Sequence, residues 1–155
     1  MRIGVISDTH GKLRPEVFTH FAGVDRILHA GDIGDADILV ELEAIAPVTA
    51  VFGNVDDIEI RSRLPEVATL EEEGRTFVVV HGHQVGSPTP RLLRRAHPEA
   101  DVVVFGHTHV PLIEEHDGCL FVNPGAAGPA RFRLKPSVAV LELVVDGMRA
   151  RLIQL

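Results

Sequence analysis

The sequence predicts an α/β protein built from two β-sheets packed on each other, with helices on the outside. Strand-like apolar runs alternate with helical segments in the first half of the chain, and strands dominate the second half. So many strands need two sheet layers to bury their apolar faces. The 155 residues include 45% hydrophobic and 24% charged residues without a long linker, so we expect a single domain over residues 1–155.

The first half of the chain carries the alternation. Strands are predicted at residues 2–7, 25–30 and 48–52, and helices at residues 15–22 and 35–46. Pro15 suits the first turn of a helix, because the N–H that proline lacks has no intrahelical partner there.

The second half is predicted to be mostly strands. Residues 67–70 and 75–80 flank a turn at 71–74 and form a hairpin, and a helix over residues 89–97 ends before Pro98. Further strands are predicted at residues 101–105, 111–115, 119–122, 137–145 and 148–154, with hairpin turns at Asp117-Gly118 and Asp146-Gly147.

Composition and charge bear on location and partners. The chain enters a strand directly after Arg2, which leaves no room for a signal peptide, and no apolar stretch reaches the roughly 18 residues that cross a bilayer. The formal charge of −7 disfavours stable binding to nucleic acid or anionic membranes. The lone Cys119 cannot form an internal disulfide. We therefore expect a cytoplasmic protein. The spacing of Arg91, Arg94 and Arg95 is typical of the solvated face of a helix.

Five apolar runs end in a short polar cluster. These clusters are Ser7-Asp8-Thr9-His10-Gly11, Gly31-Asp32, Gly53-Asn54, His81-Gly82-His83 and Gly106-His107-Thr108-His109. In α/β sheets, ligands and catalytic groups gather beyond the carboxyl ends of the strands. The five clusters are therefore expected to meet at one rim of the fold.

The clusters contain the side chains from which metal sites are built. The candidate ligands are Asp8, His10, Asp32, Asn54, His81, His107 and His109. These four imidazoles, two carboxylates and one amide oxygen are too many for one tetrahedral zinc ion. Two adjacent metal ions, which clamp the attacking and leaving oxygens of an in-line displacement, fit this set better.

The ordered set of clusters resembles the calcineurin-like metallophosphoesterase superfamily. The compact length and Asn123-Pro124-Gly125 are similar to its small branch of YfcE-like phosphodiesterases, which includes Vps29-type proteins. The resemblance spans roughly residues 5 to 125 and implies a four-layer αββα sandwich of two mixed sheets.

The resemblance also implies a mechanism. One metal ion would bind Asp8, His10, Asp32 and His109, and the other would bind Asp32, Asn54, His81 and His107. A hydroxide between two divalent ions would attack a phosphate ester in line, with catalytic roles for Asp32, Asn54 and His83. Mixed nitrogen and oxygen donors suit Mn, which we expect first, or Fe, Co, Ni and Zn, better than Mg.

Two positions depart from the pattern of the family. Many members carry a histidine directly after the metal-binding asparagine, whereas this chain has Val55, which cannot donate a proton. We therefore expect a preference for leaving groups that need no proton, unless His83 substitutes as the donor. The small branch usually has a serine at the position of Ala126.

Substrate contacts are predicted among the remaining histidines and arginines. His83 and Arg131 are candidate contacts, and Arg133 could join Arg131 in binding phosphate oxygens or point outward from an exposed segment. His29 is expected to be a buried, hydrogen-bonded residue. Asp56 could pair with an arginine or support the site.

Structural alternatives exist for the ligands and for the function. Asp8 and Asp32 could be turn or cap residues, and Asn54 could occupy a left-handed turn.

The leading prediction is a phosphodiesterase acting on a small-molecule phosphate ester. A phosphomonoesterase or nucleotide pyrophosphatase with the same site, and a non-catalytic Vps29-like scaffold, are the alternatives. The family also suggests a homo-oligomer, either a dimer or a tetramer.

Overall fold

The structure is a computed structural model that describes residues 1–131 and 133–155. Its strands are β1 (Arg2–Ile6), β2 (Arg26–His29), β3 (Val48–Ala50), β4 (Val67–Glu72), β5 (Arg75–Val80), β6 (Val102–Val104), β7 (Leu112–His116), β8 (Cys119–Asn123), β9 (Ser137–Val144) and β10 (Gly147–Gln154). Its α-helices are α1 (Glu16–His20), α2 (Asp37–Glu43), α3 (Ile58–Arg63) and α4 (Pro90–Ala96).

The strands form two mixed sheets of five strands each within the described ranges. The first sheet has the order β10-β9-β1-β2-β3, in which β1, β2 and β3 are parallel. The second has the order β4-β5-β6-β8-β7, in which β5, β6 and β8 are parallel. The five polar clusters follow parallel strands, which are β1, β2 and β3 in the first sheet and β5 and β6 in the second.

Alternate side chains of the central strands enter different layers of the core. In β5, Phe77 and Val79 pack between the sheets, whereas Val78 and Val80 face α4. In β9, Val138 and Val140 face the helices on the other side. Strands buried on both faces are continuous apolar runs, and here they produce four layers of helix, sheet, sheet and helix. The predicted αββα architecture is confirmed.

Local predictions were wrong at three places. Helix α3 was not predicted, because it has only six residues and its main sequence signal is the N-cap Asp57, whose Oδ1 accepts from Ile60 N at 3.1 Å. The hairpin turn after β4 is Glu73-Gly74 alone, both with positive φ. The last turn lies one residue earlier than predicted, at Val145-Asp146.

The remaining segments agree with the predictions to within one to three residues at each end. The basic patch on α4 lies at the surface as expected, except that Arg94 is half-buried and donates to Ala100 O at 2.8 Å. None of the helices in the described part of the chain is long and apolar enough to cross a membrane.

Candidate metal centre

The five polar clusters meet at one rim, where the carboxyl ends of the parallel strands of both sheets lie together. Asp8 follows β1, Asp32 follows β2 and Asn54 follows β3, while His81 follows β5 and the His107 loop follows β6. Main-chain bonds join neighbouring clusters, such as Asp8 N to Gly31 O at 3.0 Å. The two sheets are joined by His107 N, which donates to Asp8 Oδ2 at 3.2 Å.

One group of donor atoms contains Asp8, His10 and His109. His109 Nε2 lies 3.2 Å from Asp8 Oδ1, and His10 Nε2 lies 3.6 Å from the same oxygen. The two imidazole nitrogens are 3.3 Å apart. All three donor atoms lie within 4.8 Å of one another, which is close enough for one ion to contact all three.

A second group contains Asp32, Asn54, His81 and His107. His81 Nε2 lies 3.2 Å from Asp32 Oδ2 and 3.0 Å from Asn54 Oδ1. His107 Nδ1 lies 3.1 Å from the same amide oxygen. Asp32 Oδ2 also lies 3.9 Å from His10 Nε2, so this carboxylate stands between the two groups.

The donor set fits bound metal cations, and Asp8 gives the first sign of it. Its Oδ2 accepts from Ser7 Oγ at 2.7 Å and from His107 N. Its Oδ1 is buried without a hydrogen-bond partner among residues 1–131 and 133–155. A buried carboxylate oxygen without a partner is costly unless a cation satisfies it.

His81 gives a second sign. Its Nδ1 lies 2.7 Å from Ala30 O, which can only accept, so Nδ1 carries a proton. In the neutral imidazole, Nε2 then carries a lone pair, yet it faces the oxygens of Asp32 and Asn54. Three acceptors around one point repel each other unless a proton or a metal ion lies between them, and an imidazole fixed by a carbonyl is the usual arrangement of a metal ligand.

The backbone at the site is held in an uncommon conformation. Five of the seven predicted ligands have left-handed φ values: Asp8 53°, His10 47°, Asp32 52°, His107 69° and His109 61°. This region is sparsely populated by residues other than glycine, and each such residue costs of order 1 kcal/mol. The surrounding main-chain hydrogen bonds hold these residues in place, and such strain concentrates at functional sites.

Two glycines make room for the carboxylates. A Cβ at Gly53 would overlap the carboxylate of Asp32, and a Cβ at Gly106 would overlap Ser7 Oγ and lie 2.6 Å from Asp8 Oδ2. Only glycine therefore permits the Asp8 and Asp32 side chains to approach the neighbouring loops.

The electrostatics of the site couple the carboxylates to the imidazoles. Burial by itself raises the pKa of Asp8. The neighbouring imidazoles of His10 and His109 lower it by more than burial raises it, so the pKa of Asp8 lies well below its usual range. Burial lowers the pKa of His81, but the carboxylates of Asp32 and Asp8 outweigh it and raise the pKa overall. Burial and the charge of His81 lower the pKa of His107. The two carboxylates therefore stay ionised, as cation ligands must.

Comparison with known proteins identifies the family of the chain. The family model for the calcineurin-like phosphoesterase superfamily domain matches residues 1–146. The chain belongs to this superfamily.

Relatives in the superfamily cover most of the chain. A protein of Methanothermobacter thermautotrophicus named probable metallophosphoesterase is 40% identical, over 99% of this chain and 92% of its own length. The phosphodiesterase YfcE of Escherichia coli K12 is 30% identical, over 81% of this chain and 79% of its own. The structure of Vps29 from Entamoeba histolytica in complex with Zn²⁺ has a TM-score of 0.79 at 24% identity, covers 99% of both chains and shows the shared fold.

A cleft opens beside the candidate metal centre of this superfamily member. It has a volume of about 220 Å³, and Val55, Thr108 and Arg131 line it together with five of the seven donor residues. Val55 is 60% exposed, so its apolar side chain faces solvent beside the cleft. Arg131 is exposed at the opening, whereas Arg133 does not line the cleft.

His83 lies next to the metal centre. Its ring centroid is 5.5 Å from that of His81 and 6.3 Å from that of His107. Burial and the charge of His81 lower the pKa of His83, so the imidazole is neutral at pH 7. Its buried Nδ1 has no hydrogen-bond partner in the described part of the chain.

Asp56 holds two site loops together. Its Oδ1 accepts from Gly34 N at 2.9 Å, and its Oδ2 accepts from Gly53 N at 2.8 Å. The carboxylate therefore joins the loop of Asp32 to the loop of Asn54, and Arg61 contacts its main-chain oxygen. Of the two roles considered for Asp56 from the sequence, support of the site is the one that its contacts match.

His29 is buried and hydrogen-bonded, as predicted. Its Nδ1 accepts from Gly31 N at 3.2 Å, and its Nε2 lies 3.0 Å from Thr9 Oγ1. Because the Thr9 hydroxyl donates to Ile33 O, His29 Nε2 carries the proton that Thr9 accepts. This chain of bonds connects the loops of Asp8 and Asp32.

We expect His29 to make the folded state sensitive to acid. Burial lowers the pKa of His29 from 6.5 to about 4. Between pH 6.5 and about 4, His29 is protonated in the unfolded chain but neutral in the folded protein. The free energy of unfolding is therefore highest above pH 6.5 and falls as the pH decreases towards 4. The loss amounts to about 3 kcal/mol. Urea unfolding of the metal-free protein across this range measures it, and His29→Gln should remove this slope while His20→Gln keeps it.

Proposed function

We propose that this protein is a phosphodiesterase that hydrolyses its substrate at a centre of two divalent metal ions. The observation that carries the proposal is the convergence of seven donor residues into two groups that meet at Asp32. The superfamily and the relatives named phosphodiesterase support the reaction class.

The residues divide between two cations in a manner consistent with their contacts. Asp8, His10, Asp32 and His109 would hold one ion, and Asp32, Asn54, His81 and His107 the other. The imidazole, carboxylate and amide donors favour Mn²⁺, with Fe, Co, Ni or Zn as alternatives. When bound, the ions would lower the pKa of a coordinated water to about 7 and stabilise negative charge on a phosphate.

The residues of the chain leave the centre attractive to an anion. Asp8 and Asp32 bring two negative charges against the four positive charges of two dications, so the cleft keeps a positive field. Arg131 adds a further cation at the opening, and its guanidinium can bind two phosphate oxygens at once. We assign Arg131 as a substrate contact on this basis, and His83 because its imidazole lies beside those of His81 and His107.

The cleft favours a diester over a monoester. Val55 presents an apolar surface beside the donor groups, and the second ester group of a diester can pack against it. A monoester would place an additional charged oxygen there instead. Phosphomonoesters and nucleotide pyrophosphates are the alternative substrates of the same site.

Measured turnover, rather than metal content, distinguishes an enzyme from a non-catalytic scaffold. One Vps29 structure is of a complex with Zn²⁺, so metal binding is compatible with a Vps29-type protein. Metal binding alone therefore does not decide between the two functions. A cytoplasmic location, a homo-oligomeric state and the absence of stable nucleic-acid binding stay predictions.

The proposal is tested by reconstitution. Protein stripped of metal with a chelator should not hydrolyse bis(p-nitrophenyl) phosphate, and added Mn²⁺ should restore turnover. p-Nitrophenyl phosphate and a dinucleoside polyphosphate serve as the comparison substrates, and the diester should have the highest kcat/KM. Tight metal binding without turnover of any of the three would favour the scaffold and contradict the proposal.

A further inference from the structure

Arg61 bridges the loop that carries Asn54. Its Nε donates to Asp56 O at 2.7 Å, and its Nη2 donates to Asn54 O at 2.8 Å. The guanidinium carbon also lies 5.3 Å from the centroid of the Phe52 ring, which precedes the loop. One side chain therefore contacts the start, the middle and the end of the segment between β3 and α3.

Helix α3 supplies a fixed base for this side chain. Asp57 caps the helix through Ile60 N, and Ile60 is buried in the core between the first sheet and its helices. Arg61 N donates to Asp57 O at 3.0 Å within the first turn. The guanidinium consequently reaches back over the loop from an anchored helix.

Asn54 needs such support because it lies at the surface. Its neighbours are held through Gly53 N, which donates to Asp56 Oδ2, and Val55 N, which donates to Asp32 Oδ1 at 3.0 Å. Arg61 holds the main-chain oxygen of Asn54 itself. Rotation of that peptide would turn the Asn54 side chain away from His81 and His107.

We propose that Arg61 is a positioning residue that holds Asn54 in the orientation of a metal ligand. The proposal rests on the dinuclear centre described under Proposed function. Arg61 acts through the main chain of Asn54, since both of its hydrogen bonds are to carbonyl oxygens of the loop. The rigid fork of donors in arginine suits two carbonyls in a fixed arrangement, which the single ammonium of lysine does not reproduce.

The charge of Arg61 and its hydrogen bonds have opposite effects on metal affinity. A positive side chain near the site repels a cation, so its removal by itself would tighten metal binding. Loss of the clamp would weaken binding, because supporting partners of a ligand are typically worth about 10- to 100-fold in affinity. The direction of the change therefore distinguishes the two effects.

The chain offers a matched control. Arg63 lies on the same helix, and its Nη2 pairs with Glu59 Oε1 at 2.9 Å at the surface. Arg63→Ala removes the same charge from α3 without touching the loop. Arg61→Lys keeps the charge but loses the fork.

Calorimetric titration of the metal-free protein with Mn²⁺ tests the proposal. In Arg61→Ala, one of the two Mn²⁺ sites should weaken about tenfold or more while the other keeps its affinity. Arg61→Lys should be intermediate, and Arg63→Ala should match the wild type. An Arg61→Ala protein that binds as Arg63→Ala does, or more tightly, would overturn the proposal.

Two further readouts exclude a merely structural effect. In an Asn54→Ala background, Arg61→Ala should have no additional effect on Mn²⁺ affinity, because the two residues act as one unit. In the metal-free protein, hydrogen exchange at Gly53 N and Val55 N should be faster in Arg61→Ala than in Arg63→Ala. If wild-type protein binds fewer than two Mn²⁺ ions, the proposed function fails, and the exchange experiment still tests the clamp.

Discussion

Asp32→Asn is expected to lower kcat/KM for bis(p-nitrophenyl) phosphate by about 10³-fold or more. Asp32 Oδ2 faces both donor groups, at 3.2 Å from His81 Nε2 and 3.9 Å from His10 Nε2. Asparagine keeps the size of the side chain and an oxygen that can accept from Val55 N, but it removes the charge between the two proposed cations. Loss of one neutral hydrogen-bond donor from a catalytic site already lowers kcat by about 10²- to 10³-fold.

The matched control for this substitution is Asp35→Asn. Asp35 is an exposed residue of the same loop whose Oδ1 accepts from Asp37 N at 2.9 Å, and an asparagine can keep that bond. Both variants lose one negative charge near the site, but only Asp32→Asn should lose turnover and bound Mn²⁺. Near-normal turnover in Asp32→Asn would mean that this carboxylate is not shared by two metal ions.

The second large effect is expected in the dependence of kcat/KM on the leaving group. Because the exposed side chain of Val55 beside the cleft cannot donate a proton, the wild type should hydrolyse methyl phosphodiesters more slowly as the leaving group changes from p-nitrophenol to phenol and to an alkanol. General-acid help is worth about 10² to 10⁴ in rate. Val55→His should therefore raise the rate for the alkanol relative to p-nitrophenol by about 10²-fold. The measurement is kcat/KM across the series.

Two control variants show whether the gain in Val55→His comes from a proton donor at that position. Ile58→His places an imidazole at a position that is 82% exposed and does not line the cleft, so it should leave the series unchanged. His83→Ala tests whether the neighbouring imidazole already donates the proton. If His83→Ala loses no activity and the wild type cleaves aryl and alkyl diesters at equal rates, the role assigned to Val55 is wrong.

The location of the site was predictable from the sequence because its signals are local. Continuous apolar runs such as Val78–Val80 and Val102–Val104 mark strands buried on both faces, and such strands have parallel neighbours. A polar residue shortly after such a run lies beyond the carboxyl end of its strand, as Asp32 and His107 do. The fold class followed from the same pattern.

Other features depend on contacts that no local pattern encodes. The left-handed φ of His107 and His109 is unusual for histidine, and it depends on the bonds that hold their loop. Asn123 is such a partner, since its Nδ2 donates to Gly106 O at 3.1 Å and to Thr108 Oγ1 at 3.0 Å. Arg61 has no sequence signal either, because helix α3, which carries it, is too short to show a helical period.

The dinuclear centre is tested most directly by the number of Mn²⁺ ions that turnover requires. Metal-free protein at a concentration well above the dissociation constants is titrated with Mn²⁺, and hydrolysis of bis(p-nitrophenyl) phosphate is measured at each addition. The seven converging donors predict that activity rises until two equivalents are bound and is then constant. Full activity at one equivalent, or two tightly bound ions without hydrolysis, would contradict a dinuclear phosphodiesterase.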